Sequence, residues 1–120
     1  MRVAGMGFRK AASAASLADA LTRAGGNVMA LATAQDKAGA PELIALAQSL
    51  GLPVIAIAPD DLAAVQVSTH SPRVIALYNT GSLAEAAALA AAGPGATLTG
   101  PRVTSADGMA TAAIAERTDE

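Results

Sequence analysis

The chain has no cysteine and few aromatic residues among its 120 positions. Without cysteine it has no disulfides, thiolate metal ligands or cysteine nucleophiles, and with His70 as its single histidine any zinc site would depend on carboxylates. Phe8 and Tyr78 are too few for the stacking platforms of single-stranded nucleic-acid binders. A net charge of −2 gives no long-range attraction for a phosphate backbone. We therefore expect no metal, no other cofactor and no nucleic-acid partner.

Long hydrophobic runs are also missing. No apolar stretch approaches the ~20 residues that span a bilayer, and no long apolar run follows Arg2 as it would in a signal peptide. We expect a cytoplasmic protein without a membrane partner. The length suits a single domain over residues 1–120, without repeats or linkers. Hydrophobic residues make up 52% of the chain and many are alanine, which predicts helices packed closely on a sheet.

Short apolar runs alternate with helical patterns in the first half. The predicted strands are Arg2–Met6, Asn27–Ala32 and Pro53–Ala58. The predicted helices run from a cap at Ser13 or Ser16 to Gly25, over Glu42–Leu50 after Pro41, and over Leu62–Val65 after Pro59-Asp60-Asp61. The third strand is apolar without alternation, which indicates that both of its faces are covered. Residues 33–40 are polar and are predicted to form a flexible loop.

The clearest helix of the chain lies in its second half. Ser82 and Glu85 have the spacing of a capping box, and the helix that they begin ends at Gly93-Pro94. The segment before it, Gln66–Thr80, is ambiguous. Within this segment Val74–Leu77 is either a strand or part of an irregular crossover.

Two closing strands complete the pattern. Ala96–Thr99 and Met109–Ala115 are predicted strands joined around a turn at 106–108, and they suit an antiparallel hairpin at one edge. Residues 118–120 are predicted to be a solvated tail. The whole pattern predicts an α/β fold, a three-layer α/β/α sandwich with a mostly parallel sheet and a possible antiparallel edge hairpin.

The turn after the first strand has the features of an anion site. Gly5 and Gly7 end the strand, Arg9 and Lys10 follow, and a helix begins directly after them. Bare N–H groups, a helix N-terminus and fixed positive charge at one place favour an anionic ligand. The third glycine of a dinucleotide fingerprint is missing. The turn therefore predicts an anion without identifying it.

Three separate segments resemble, in order, the CobE/CbiG C-terminal family of cobalamin biosynthesis proteins. The resemblance covers almost the whole chain, and its specificity lies in the order and spacing of the segments. The matching residues are Gly5-Met6-Gly7-Phe8-Arg9-Lys10; Ala32-Thr33, Asp36-Lys37, Glu42-Leu43, Ala47 and Leu50-Gly51-Leu52-Pro53; and Gly81-Ser82-Leu83-Ala84-Glu85-Ala86-Ala87-Ala88-Leu89 with Ala112-Ala113-Ile114-Ala115.

The resemblance implies a role in building the corrin ring of vitamin B12. It implies binding of a polycarboxylate corrinoid or precorrin, a tetrapyrrole-derived ligand, by a binder, a carrier or an assistant to other cobalamin-pathway enzymes. Fused members of the family are cobalt-precorrin-5A hydrolases that open a lactone and release acetaldehyde. This chain differs from them because it starts at Met1 without their N-terminal region and has Phe8 where many of them carry cysteine. Both differences argue against hydrolysis.

The expected substrate-binding residues come from the glycine turn and from the other two matching segments. They are Gly5, Gly7, Phe8, Arg9, Lys10, Thr33, Asp36, Lys37, Thr80, Gly81 and Ser82. No nucleophile–base–acid set can be assembled from neighbouring motifs, so no catalytic residue is assigned.

Two other functions remain open at this point. A hydrolase or lyase acting on a precorrin lactone would need a general base, for which Asp36 and His70 are the candidates. A generic anion-binding regulatory module is the second. We interpret Asp60-Asp61 as a helix start rather than an acid/base pair, and Arg102 as surface charge on an edge strand.

Overall fold

The computed structural model describes residues 1–78 and 80–118, so Asp119 and Glu120 of the predicted tail lie outside the described residues. The strands are β1 (Arg2–Phe8), β2 (Ala30–Ala34), β3 (Val54–Ile57), β4 (Thr97–Leu98), β5 (Val103–Thr104) and β6 (Ala110–Glu116). The helices are α1 (Ala14–Ala24), α2 (Pro41–Leu50), α3 (Pro59–Ala64), α4 (Pro72–Tyr78) and α5 (Leu83–Ala92).

The strands of the described residues form one six-stranded sheet in the order β3-β2-β1-β6-β4, and β5 also pairs with β6. β1, β2 and β3 are mutually parallel. β6 runs antiparallel to β1, while β4 and β5 run antiparallel to β6, so five strands point in one direction. β4 and β5 lie one after the other along the edge of β6. The predicted α/β fold is confirmed, and the antiparallel pairing involves β6 inside the sheet.

Helices cover both faces of the sheet. On one face α1 and α2 bury Leu17 and Leu43, both 0% exposed, in a core shared with β1, β2 and β6. On the other face α3 and α5 bury Leu62 and Ala87, also 0% exposed, against β1, β2 and β3. Burial of apolar surface on each face at about 25 cal/mol per Å² is the main stabilising term. The structure is therefore a three-layer sandwich.

Local sequence signals mark the start of α1 and both ends of α2 as predicted. The side chain of Ser13 accepts a hydrogen bond from Ser16 N–H at the start of α1. Pro41 occupies the first turn of α2, and Gly51 ends that helix at a left-handed φ of 68°. A residue with a Cβ is strained at this φ, so glycine is favoured there.

Several predicted elements are shifted or differ in type. β2 begins at Ala30 rather than Asn27 and extends to Ala34, so Thr33 lies in a strand and not in a flexible loop. β3 lies at the edge of the sheet and Ala56 is exposed, so it is not covered on both faces. Segment 72–78 is the helix α4, not a strand, and Pro72 at its start fixes a helical φ.

Gly5 lies at a close approach between the sheet and α5. A Cβ on Gly5 would overlap the carbonyl oxygen of Ala84 and lie 2.6 Å from Ala88 N. Alternation along β1 places Val3, Gly5 and Gly7 on this face and the larger Met6 on the other. The glycine therefore allows an alanine-rich helix to pack directly on the strand backbone.

No single helix of residues 1–78 and 80–118 is long and apolar enough to cross a membrane; α4 and α5 reach that length and composition only when taken together as a bent pair.

Candidate functional site

A cavity of about 260 Å³ opens at the carboxyl end of β1. We call it the cationic cleft. Its walls come from the ends of β1 and β5, the start of β6, the first residue of α5 and one side of α4. Open α/β sheets generally bind their ligands outside the carboxyl ends of the parallel strands. The cleft lies at this edge.

Four cationic side chains from four parts of the chain line the cationic cleft, namely Arg9, Lys37, Arg73 and Arg102. The described lining residues include no carboxylate and no imidazole. The whole chain carries a formal charge of −2, so this positive charge is a local feature. Guanidinium groups pair with carboxylates through two parallel hydrogen bonds, which suits the cleft to carboxylate ligands.

Lys37 is fixed to the end of β1 although it follows β2. Its ammonium group donates a hydrogen bond to the carbonyl oxygen of Phe8 at 2.7 Å and lies 4.8 Å from the centre of the Phe8 ring. Both contacts are favourable for a cation. The interaction places a fixed positive charge in the cleft beside Phe8, which is only 9% exposed and part of the core.

The first residue of α5, Leu83, also lines the cationic cleft. The first N–H groups of a helix lack partners within the helix and carry partial positive charge. The hydroxyl of Ser82 accepts the N–H of Glu85 at 3.2 Å and caps this end. Gly7 faces the same turn, because a Cβ there would lie 3.7 Å from Ala84 N. The helix end adds to the positive potential of the cleft.

A second cavity of about 640 Å³ lies on the other side of α4 and has the opposite character. Its described lining includes Asp36 and Asp60 but no cation. The phenol of Tyr78 donates a hydrogen bond to the Asp36 carboxylate at 3.3 Å. Burial and the adjacent negative charge of Asp36 raise the pKa of Tyr78 to about 12. The phenol therefore stays protonated at neutral pH and is a hydrogen-bond donor.

The predicted binding residues divide between the cleft and its surroundings. Gly7, Phe8, Arg9 and Lys37 line the cationic cleft. Lys10 is exposed and does not line it.

The remaining predicted residues lie outside the cleft, and several have structural partners. Gly5 packs under α5, and Asp36 lines the second cavity. The hydroxyl of Thr33 is fully buried and donates to the carbonyl of Met6 at 2.8 Å.

The turn before α5 is also buried. Thr80 and Gly81 are buried beside the Ser82 cap, and the Thr80 hydroxyl has no partner among the described residues. A Cβ on Gly81 would overlap the carbonyl oxygen of Thr69. Gly81 therefore allows close contact between two backbone segments.

Two of the four cations that line the cleft were not predicted as binding residues. The sequence predicts Arg102 as surface charge on an edge strand, but Arg102 lies directly before β5 and lines the cleft. Arg73 reaches the cleft because 72–78 is helical and lies over the sheet edge. The proline before Arg73 is the sequence signal that favours this helix.

Glu85 is a buried carboxylate near the base of the cleft and is not the reciprocal partner of a capping box. It is 0% exposed and accepts hydrogen bonds from Ser68, Thr69 and Arg102. Burial raises the pKa of Glu85, but the bonds from Thr69, Arg102 and Ser68 outweigh it and hold this pKa below its ordinary value. The carboxylate is therefore charged at neutral pH.

An acidic side chain, Asp107, also fixes the turn between β5 and β6, which contributes Gly108 and Met109 to the cleft. Asp107 accepts hydrogen bonds from the hydroxyls of Ser105 and Ser16 and from Met109 N–H. The bonds from Ser105, Ser16 and Met109 lower the pKa of Asp107. These contacts attach the turn to α1.

The alternative chemical candidates lie away from the cleft. His70 is exposed and does not line it. Asp60 and Asp61 occupy the first turn of α3, as predicted for a helix start. No group of three or more His, Cys, Asp or Glu side chains within the described part of the chain is arranged to hold a metal ion.

Comparisons with known proteins agree with one another. The family model described as "Cobalamin synthesis G C-terminus" matches residues 2–115. The crystal structure of CobE, a protein from the cobalamin (vitamin B12) biosynthetic pathway, is similar at a TM-score of 0.84 and 32% identity, covering 100% of this chain and 92% of that one. The crystal structure of cobalamin biosynthesis protein chiG from Agrobacterium tumefaciens has a TM-score of 0.75 and 34% identity, covering 99% and 100%. A search of curated proteins found no match. The chain thus belongs to the CobE/CbiG C-terminal family of cobalamin biosynthesis proteins.

Proposed function

We propose that this protein binds a polycarboxylate corrin-ring intermediate in the cationic cleft, as a binder, a carrier or an assistant to a pathway enzyme. The observation that carries the proposal is the set of four cations, Arg9, Lys37, Arg73 and Arg102, around a cleft whose described lining has no carboxylate. Corrin intermediates carry acetate and propionate groups around the ring. Several carboxylates on one ligand match several cations at one site.

The size of the cleft supports binding of one edge of the macrocycle. Its volume of about 260 Å³ is below the roughly 300–1,000 Å³ of pockets that enclose small ligands. A carboxylate-bearing edge would enter, and the rest of the ring would lie outside. Leu77 lines the cleft and is 64% exposed, so it offers apolar surface to the ring.

The lining favours binding over lactone hydrolysis. Hydrolysis needs a general base within hydrogen-bond reach of the attacking water. Asp36 lines the second cavity and accepts a hydrogen bond from Tyr78, and His70 is exposed outside the cleft lining. Tyr78, with its pKa of about 12, supplies a donor rather than a base.

The test is a titration of the protein with hydrogenobyrinic acid and earlier ring precursors, followed by visible absorbance. Arg9→Ala should weaken binding by roughly 10- to 100-fold, because a hydrogen bond between charged groups contributes about 1.5–3 kcal/mol. Lys10→Ala is the matched control, since Lys10 is the next residue but lies outside the cleft lining. We expect it to change affinity by less than about threefold, as for an exposed charge.

Other outcomes assign the protein differently. A spectral change that continues with time and yields a product detected by mass would identify an enzyme. Binding of citrate as tight as that of the corrinoid would identify a generic anion module. Equal losses for Arg9→Ala and Lys10→Ala would place the anion outside the cleft. Affinity should also fall with added salt, because the exposed parts of these ion pairs are screened.

A further inference from the structure

The buried carboxylate of Glu85 joins two segments that are distant in sequence. Its Oε1 accepts the N–H groups of Ser68 at 2.7 Å and Thr69 at 2.9 Å. Its Oε2 accepts the hydroxyl of Thr69 at 2.7 Å and the N–H of Arg102 at 2.7 Å. With 0% exposure the carboxylate exchanges its water shell for these donors.

Capping of α5 does not require this carboxylate. The hydroxyl of Ser82 accepts the N–H of Glu85 at 3.2 Å and so provides the cap. The acceptor atoms of Glu85 are directed to other segments instead. The Glu85 carboxylate therefore acts through the two segments that it binds.

Both segments held by Glu85 lead to cations of the cleft. Thr69 lies three residues before α4, whose second residue is Arg73. Arg102 is itself a cleft residue, and Glu85 binds its backbone while its side chain remains available. Ser71 N–H also donates to the carbonyl of Gly81 at 2.8 Å, which fixes the connection into α4 on the base of α5.

We propose that Glu85 is a positioning residue that sets the separation of the Arg73 and Arg102 side chains, so that the cleft selects ligands with two or more carboxylates. This inference rests on the proposed function and deepens it. Arg9 and Lys37 do not depend on Glu85, because Arg9 N–H donates to Met109 O at 2.9 Å and Lys37 is bound to Phe8. The cleft thus has one pair of cations held by β1 and β6 and another held by Glu85.

The test is a double-mutant cycle with Glu85→Gln, which keeps the shape of the side chain but removes its charge and one acceptor oxygen. Citrate and hydrogenobyrinic acid are the probes, and calorimetry at low salt gives the affinities. We expect Glu85→Gln to weaken citrate binding about tenfold in the wild-type background. In an Arg102→Ala or Arg73→Ala background the further loss should be under about threefold, since coupled residues are not additive.

Arg9→Ala is the matched background for this cycle. There the full loss of about tenfold should remain, because independent sites are additive. Acetate, with one carboxylate, should lose less affinity than citrate on Glu85→Gln. Equal losses in all backgrounds, or unchanged citrate binding by folded Glu85→Gln, would overturn the positioning role.

A milder variant covers the case in which Glu85→Gln does not fold. Thr69→Val removes one of the donors to Glu85 and should show the same coupling to Arg102, whereas Thr69→Ser keeps the hydroxyl and should restore binding. The two probes separate the two proposals. If the wild-type protein bound citrate but not hydrogenobyrinic acid, the proposed function would be rejected and the role of Glu85 could still be tested. If it bound neither probe, both proposals would be rejected.

Discussion

α4 and α5 follow one another in the chain and are both rich in apolar residues, but they differ in burial. α5 is covered almost throughout, with Ala86, Ala87 and Ala88 each 0% exposed. No residue of α4 is buried, and Ile75 and Leu77 are 45% and 64% exposed. Apolar composition alone therefore does not decide which helix enters the core.

The difference follows from what each helix can pack against. α5 lies on a sheet face where Gly5 removes the side chain and lets backbone approach backbone. α4 lies beyond the strand ends, where the sheet offers an edge and two cavities rather than a face. Segments with few buried apolar residues open locally at low free energy, while core helices open only with the whole domain. The candidate site thus lies between a well-packed helix, α5, which we call the rigid floor, and a loosely packed helix, α4, which we call the loose wall.

The largest effect is expected where the close packing of α5 is removed. Gly5→Ala places a methyl group against the carbonyl of Ala84, so α5 must shift from the sheet. Overpacking of a core costs about 1–3 kcal/mol and occasionally more. Because the obstacle here is backbone, we expect the free energy of unfolding to fall by about 3 kcal/mol. Urea unfolding measures it.

Gly39→Ala is the control for this substitution. A Cβ on Gly39 meets nothing within 4 Å, so we expect a change below about 0.5 kcal/mol. Equal destabilisation by both variants would show that the close approach of α5 to β1 is not what makes this helix the rigid one.

The fold was largely predictable because its signals are local. Ser13 capping α1 and the glycine ending α2 depend only on residues within a turn. The insertion of β6 beside β1 was not predictable, because it pairs Arg2 with Glu116 across almost the whole chain. Strand pairing of this kind depends on which strands can share a core, and no short segment encodes it.

The candidate site was predictable only in part, for the same reason. Arg9 follows a glycine turn, so its place at a strand end could be predicted from neighbours. Arg73 and Arg102 reach the cleft through segments that Glu85 holds at separations of 16 and 17 residues. The Ser82–Glu85 spacing predicted a capping box, and its local half forms, with the Ser82 hydroxyl accepting Glu85 N–H. The Glu85 carboxylate instead accepts hydrogen bonds from distant donors such as the Thr69 hydroxyl.

An intermediate effect is expected in acid, where Glu85 loses its charge. Its pKa in the folded protein lies below the ordinary value of 4.5, so its contribution to stability is present above that pH and is lost as the pH falls through the folded pKa. The stability difference between wild type and Glu85→Gln should therefore be largest at neutral pH and narrow below about pH 4.5. Urea midpoints measured from pH 7 to pH 3 give this difference.

Subtracting the pH curve of Glu85→Gln from that of the wild type also cancels the contributions of the other acidic groups to stability. Hydrogen bonds, chiefly from Ala106 N–H and the Ser105 hydroxyl, lower the pKa values of Asp19 and Asp107, and both carboxylates are present in each protein. A stability difference that stays constant down to pH 3 would mean that the charge of Glu85 does not hold the segment before α4 in place.

The smallest effect on stability is expected where α4, the loose wall, is attached to the sheet edge. Tyr78→Phe removes the 3.3 Å hydrogen bond to Asp36, and such a long, partly exposed bond contributes at most about 0.5 kcal/mol to global stability. Local opening should respond more strongly, because α4 has no buried residue that would keep it closed. Hydrogen exchange should accelerate at the amides of α4 and stay unchanged at those of α5. Faster exchange in both helices would mean that they open as one unit, and the division between a rigid floor and a loose wall would then have to be abandoned.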